Sequence, residues 1–369
     1  MITEKKRKEQ SIDGQTNKRT RDSRFELLRI IAMLCIVTGH SMTHGVLTGS
    51  EVNTIPPVSF ILCRFLAYGG KTGVYLFVLI TGYFMIDSNI SVKKLVKLWL
   101  PILFWSAVIT VTGGILLDQL SANEIALSVI PILSNRYWFM STYVFLYLLS
   151  PVINIALSHT SRNQDVLIIL LTVLTIAPCD YLYGADVNSW LVSFCFTYAI
   201  GAIIKKYHIL QKKSFIKYGC ILLASGIAFN TGSSIFIGLN ARTDVIASAL
   251  EKETLFDLFI AIGIFILVGS GTQFYNRKIN AIASTTFGIY LIHDNPKMET
   301  LLWIRGLHFD RLAYKGIYSM LYILLVDFIV FAICAVLEFI RKKALGKTEE
   351  VIAEKTGSIA FHYVRHLDK

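Results

Sequence analysis

Apolar positions along the chain gather into ten blocks, at 26–47, 69–86, 95–117, 136–157, 165–179, 190–204, 216–239, 254–271, 280–294 and 314–340, set apart by short polar or charged stretches. A helix needs about 20 apolar residues to cross a bilayer core, and the blocks reach or approach that length. The pattern predicts an all-α polytopic membrane protein with about ten transmembrane helices. The second and ninth blocks are short and interrupted by glycine, which is tolerated where neighbouring helices or a polar cavity satisfy the backbone. Two further stretches read as ordered: PPVSFILCRFLAYGGK as an interfacial helix leading into the second span, and 121–133 (SANEIALSVIPIL) as a segment lying on or dipping into a leaflet.

Charge adds an orientation. Residues 1–24 hold eight Lys or Arg with no apolar core and no small-residue cleavage site, so they read as a basic cytoplasmic tail and not as a signal peptide. Placing this end inside puts 26 of the 36 Lys and Arg on the cytoplasmic side and nine on the other, which fits the positive-inside bias and makes both termini cytoplasmic. The organisation is then a tail (1–24), a membrane-embedded domain (25–340) and a second charged tail (341–369). A chain that is 54% hydrophobic and only 17% charged is not a soluble enzyme, for which about 25% charged is usual. The net charge of +11 forms no single basic face, so it reads as topogenic and lipid-facing, with no nucleic acid partner. Cys35, Cys63, Cys179, Cys195, Cys220 and Cys334 lie in or beside apolar blocks without a CxxC pair, and read as small buried hydrophobes.

An ionisable group inside a span is costly unless it faces a polar cavity, which makes each one a functional candidate. The first block, FELLRIIAMLCIVTGHSMTHG, holds Arg29 and His40 eleven positions apart. Eleven residues turn about 20° past three full helical turns, so the two share one face roughly 16 Å apart. One stripe can hold an anionic ligand at Arg29 and act on its far end at His40; equally, Arg29 can snorkel to headgroups while His40 is hydrogen-bonded packing. His44 follows His40 by four positions, a spacing known from metal pairs, but with no third ligand nearby in sequence no metal is expected.

ELLRIIAMLCIVTGH resembles the first-helix signature of the acyltransferase-3 family, integral membrane O-acyltransferases that modify surface carbohydrates. The resemblance continues through KTGVYLFVLITGYFM, KKLVKLWLP, RYWFMSTYVFLYLLSPVIN and STTFGIYLIHDNP, from residue 25 to about 340. It implies that His40 is the catalytic histidine and Arg29 its motif partner. An imidazole can remove a proton from a sugar hydroxyl as it attacks a thioester, or form a transient acyl-histidine, and the sequence leaves both open. Where the family tends to carry two arginines before the third span, this chain has Lys94 and Lys97, which keep the charge but lose bidentate phosphate geometry. They are expected to help bind acetyl-CoA as acyl donor, or else to form an ordinary positive-inside loop.

Arg136, Tyr137, Trp138 and Phe139 open the fourth span; they read as an interfacial aromatic belt, or, by the resemblance, as the sugar-binding lining of the active cavity. Tyr143 and Tyr147 continue one face and read as packing. His293 and Asp294 end the ninth block before Pro296, at a depth where His293 can share a cavity with His40 and Asp294 can equally be a solvated helix end. The expectation is therefore a cell-membrane O-acetyltransferase that moves an acyl group from acyl-CoA to a hydroxyl of a cell-surface polysaccharide or its lipid-linked precursor. The alternatives are a transporter or flippase of such a substrate, which the absence of paired broken helices disfavours, and a sensor that retains the fold without turnover.

Overall fold

The computed structural model describes residues 21–48, 55–183, 187–239, 255–311 and 317–367. Most of the predicted N-terminal tail (1–20) lies outside the described residues, as do Arg242, Lys252 and Lys315 of the charge count. The protein is all-α, 85% helical, with no strand among the described residues. Its helices are α1 (Ser23–His40), continued by a π-helical turn (Ser41–Val46), α2 (Pro57–Met85), α3 (Val92–Leu116), α4 (Ala122–Ser128), α5 (Trp138–His159), α6 (Arg162–Tyr183), α7 (Val187–Lys206), α8 (Ser214–Leu239), α9 (Leu255–Gly269), α10 (Arg277–Ala283), α11 (Thr286–His293), α12 (Pro296–Glu299) and α13 (Ile317–Leu367). Among the described residues, six helices are long and apolar enough to cross a membrane: α1 with its π turn, α2, α3, α5, α8 and α13.

The differences from the predicted elements have local causes. The supposed interfacial helix and second span form one 29-residue helix, opened by Pro57 at its first turn, where a proline costs no hydrogen bond. The ninth block is split into α10 and α11. At that junction the Ser284, Thr285 and Thr286 hydroxyls each donate to the carbonyl three residues back, at 2.7, 2.7 and 2.8 Å, diverting carbonyls from a regular ladder. The last span and the charged C-terminal stretch are one helix of 51 residues. At 1.5 Å per residue it runs about 76 Å, far more than a hydrocarbon core of about 30 Å.

Helix α2 is central, with α1, α7, α8 and α9 packed against it. Small residues make the closest crossings. A Cβ on Gly39 of α1 would stand 2.6 Å from the Gly70 Cα of α2, so only glycine lets the two backbones meet there. Outward faces are apolar, as with Leu148, Val152 and Ile155 of α5 and Leu321, Leu325 and Phe328 of α13, all exposed. On a bilayer protein such a surface faces lipid.

Helix α13 is fixed to the bundle by a buried ion pair. Arg341 donates to both oxygens of Glu338, 2.8 Å each, and Trp105 of α3 donates its Nε1–H to the same carboxylate at 2.8 Å. Gly288 of α11 leaves the room that this carboxylate occupies. Farther along, Lys93 of α3 pairs with Glu350 and Glu354 at 2.7 and 2.8 Å, and Lys97 pairs with Glu350.

Candidate active site

The site forms where α1 ends. Helix α1 is regular to His40, and the chain then widens into the π-helical turn, a geometry often found at functional positions. Ser41 anchors the change by donating its hydroxyl to the Thr38 carbonyl and to Asp327 of α13, both at 2.9 Å. Behind it, the Gly39–Gly70 contact sets how near α1 lies to α2. Helix α11 packs across α1 and brings His293 and Asp294 to His40, more than 250 residues away in sequence.

The His40 Nδ1 atom lies 3.0 Å from Asp294 Oδ1 and 3.1 Å from His293 Nε2. His293 Nδ1 sits 2.7 Å from the Ile289 carbonyl oxygen, which can only accept. His293 therefore carries its proton on Nδ1 and a lone pair on Nε2. It follows that His40 Nδ1 is the donor, its hydrogen shared between Asp294 and His293. That tautomer leaves a lone pair on His40 Nε2, the atom free to take a proton. Asp294 is 4% exposed and His40 12%, so the pair is shielded but reachable.

Around this pair stand His44, with its ring 5.2 Å from that of His40, and Glu299, whose Oε2 is 3.8 Å from His44 Nδ1. Burial and the Asp294 carboxylate push the Glu299 carboxyl up to about 7, against the opposing pull of His40. Among the described residues, His40, His44 and Asp294 offer ligand atoms within 4.8 Å of one another, a group that could hold a cation.

A cavity of about 540 Å³ runs beside α1, with Arg21, Arg29 and Lys342 on its walls together with Phe139 and Tyr290. Arg29 donates to Glu26 at 2.7 Å and keeps 29% of its side chain exposed. The cavity thus carries three cations against the single carboxylate of Glu26. Lys94 is exposed, and neither it nor Lys97 lines the cavity; Lys97 meets Glu350 instead.

The aromatic quartet divides. Phe139 lines the cavity and packs edge-on to Tyr290, with centroids 5.2 Å apart. Trp138 lies against Trp190 at 4.8 Å. Tyr137 is 1% exposed, donates to the Leu291 carbonyl at 3.0 Å and accepts from Asn295 at 2.9 Å, which fixes the chain just beyond Asp294. Arg136 turns to Thr110 (2.8 Å) and Glu124 (3.1 Å), beside a separate pocket of about 310 Å³ that also holds Lys297. His293 is fully buried and faces His40, not open space. Asp294, singled out with His293 in the sequence but open there to being a solvated helix end, is instead 4% exposed and joined to His40, while Tyr290 and Asn295 join the site without having stood out in the sequence.

A family model described as an acyltransferase domain, that of acyltransferase-3, matches residues 22–339. The chain belongs to the acyltransferase-3 family. Searches among curated proteins and among solved structures returned no match. As a member of this family with six helices able to cross a bilayer, the protein is a membrane acyltransferase. Its matched region runs from α1 into the first part of α13 and contains the whole of the His40 site; of the cavity residues, only Arg21 and Lys342 lie outside it.

Proposed function

We propose that this membrane acyltransferase is an O-acetyltransferase, with acetyl-CoA as donor and a hydroxyl of a cell-surface polysaccharide or its lipid-linked precursor as acceptor. The observation that carries the reading is the tautomer of His40: Nδ1–H held by Asp294 and His293, Nε2 left as a base. An imidazole with a pKa near neutral suits removal of a proton from an attacking hydroxyl, and a carboxylate on its far nitrogen stabilises the imidazolium that forms.

The donor enters from the cytoplasm, its phosphates facing Arg29 with Arg21 and Lys342 beside it, and its thioester directed along α1 toward His40. Lys94 and Lys97 lie outside that cavity and contribute long-range attraction for an anion. The acceptor hydroxyl comes from the opposite side. His40 Nε2 takes its proton as the oxygen attacks the thioester carbonyl, and returns it to the departing thiolate. Shielding of the site excludes water as a competing acceptor.

The test is the O-acetyl content of surface polysaccharide, by proton NMR, in cells expressing wild type, His40→Ala or nothing, at matched membrane abundance. Acetylation should require the wild type and fall to the empty-strain level in His40→Ala. Identical spectra from the wild type and the empty strain would refute the proposal and favour transport of the saccharide, to be read by a transport assay.

A further inference from the structure

The oxyanion that forms as a thioester is attacked has no donor in the steps above. Five residues on the cavity wall carry hydroxyls: Thr81, Tyr143, Ser284, Thr286 and Tyr290. Thr81 donates to the Phe77 carbonyl and meets the Tyr143 hydroxyl at 3.1 Å. Ser284 and Thr286 donate back to carbonyls of α10. Tyr290 differs: it is 1% exposed, and its buried Oη has the Asp294 carboxylate within hydrogen-bonding reach but makes no well-aligned hydrogen bond. A buried phenol whose one polar neighbour is poorly aligned is uncommon and calls for an explanation. Its ring also stands between the cavity and the base, 6.5 Å from the His40 ring and 6.1 Å from that of His293. Tyr137, the other phenol in contact with it, is already committed to Leu291 and Asn295.

We propose that Tyr290 is a catalytic residue that donates its Oη hydrogen to the oxyanion formed on the acyl carbonyl. The inference rests on the acyl-CoA transfer reading. The acceptor O–H gives its proton to His40 Nε2 as the new C–O bond forms, and the carbonyl π pair moves onto oxygen, where Tyr290 holds it. Collapse restores the C=O bond and breaks C–S, and the thiolate takes the proton from His40. Tyr290 keeps its own hydrogen throughout. The well-aligned acceptor that this phenol lacks at rest is thus a charge that exists only in the transition state, which is where a donor accelerates the reaction.

The experiment uses membrane vesicles from a strain lacking the chromosomal gene, carrying the wild type or Tyr290→Phe, with radiolabelled acetyl-CoA varied and label counted in the polysaccharide. Tyr290→Phe keeps the ring contacts, and extracted amount and melting temperature confirm the fold. The expected result is a fall in kcat of about 10²–10³-fold with the KM for acetyl-CoA within about threefold, the usual effect of losing one oxyanion donor. Rates within threefold of wild type, a change confined to KM, or loss of fold in Tyr290→Phe would overturn the assignment while leaving His40 transfer standing. A wild type that incorporates no label would overturn both.

Discussion

In the proposed mechanism His40 acts as a base because its other nitrogen is occupied, and that occupation comes from two residues adjacent in sequence, His293 and Asp294. Asp294→Asn can present an amide N–H to His40 Nδ1 and so favour the opposite tautomer, with the hydrogen on Nε2. We expect kcat to fall by about 10²–10⁴-fold with membrane abundance unchanged, measured as label transferred from acetyl-CoA. The stripe of Arg29 and His40 was legible in the sequence, because helical spacing alone puts both on one face. The division of labour between His293 and Asp294 was not, since it depends on how α11 crosses α1. Nor was the fate of the 136–139 quartet: at the start of a helix, successive residues point in different directions, and only Phe139 meets the cavity while Arg136, Tyr137 and Trp138 find partners elsewhere.

Among elements, the crossing of α1 over α2 holds His40, the proposed base, in place. Gly39→Val would drive a side chain into the Gly70 backbone, which cannot move aside as a flexible side chain would. The expected cost is about 1–3 kcal/mol of stability, seen as a lower melting temperature in detergent. Turnover should fall by about 10²-fold for a displacement of about 1 Å at His40. Gly232→Ala, inside α8 where an added Cβ meets nothing within 4 Å, is the control and should melt at or slightly above the wild-type temperature. Hydropathy located the apolar blocks but not their breaks and mergers. The ninth block's interruption follows from three hydroxyls bonding backward, and the long run of α13 from good helix formers such as Lys342, Ala344, Leu345 and Glu349 continuing past the apolar segment.

For the whole molecule, the Glu299 carboxyl ties stability to pH. Its value in the fold, about 7, lies above the ordinary 4.5 because burial and Asp294 disfavour its charge. Both folded and unfolded chains hold the proton below about pH 4.5, so its stabilising contribution is complete there and is lost as pH rises toward 7. Melting temperature should therefore drop by a few degrees between pH 5 and pH 8, and Glu299→Gln should flatten that part of the profile; an unchanged profile in the variant would refute the assignment. The pairing of His40 with Asp294 also bears on biosynthesis. At about 5–20 residues per second, the ribosome makes Asp294 roughly 13–50 s after His40. During that interval the first helix carries an imidazole without its carboxylate, so, on the proposed mechanism, a chain stalled anywhere before α11 would be inert and the nascent protein would begin to consume donor only when nearly all of its membrane domain has been synthesised.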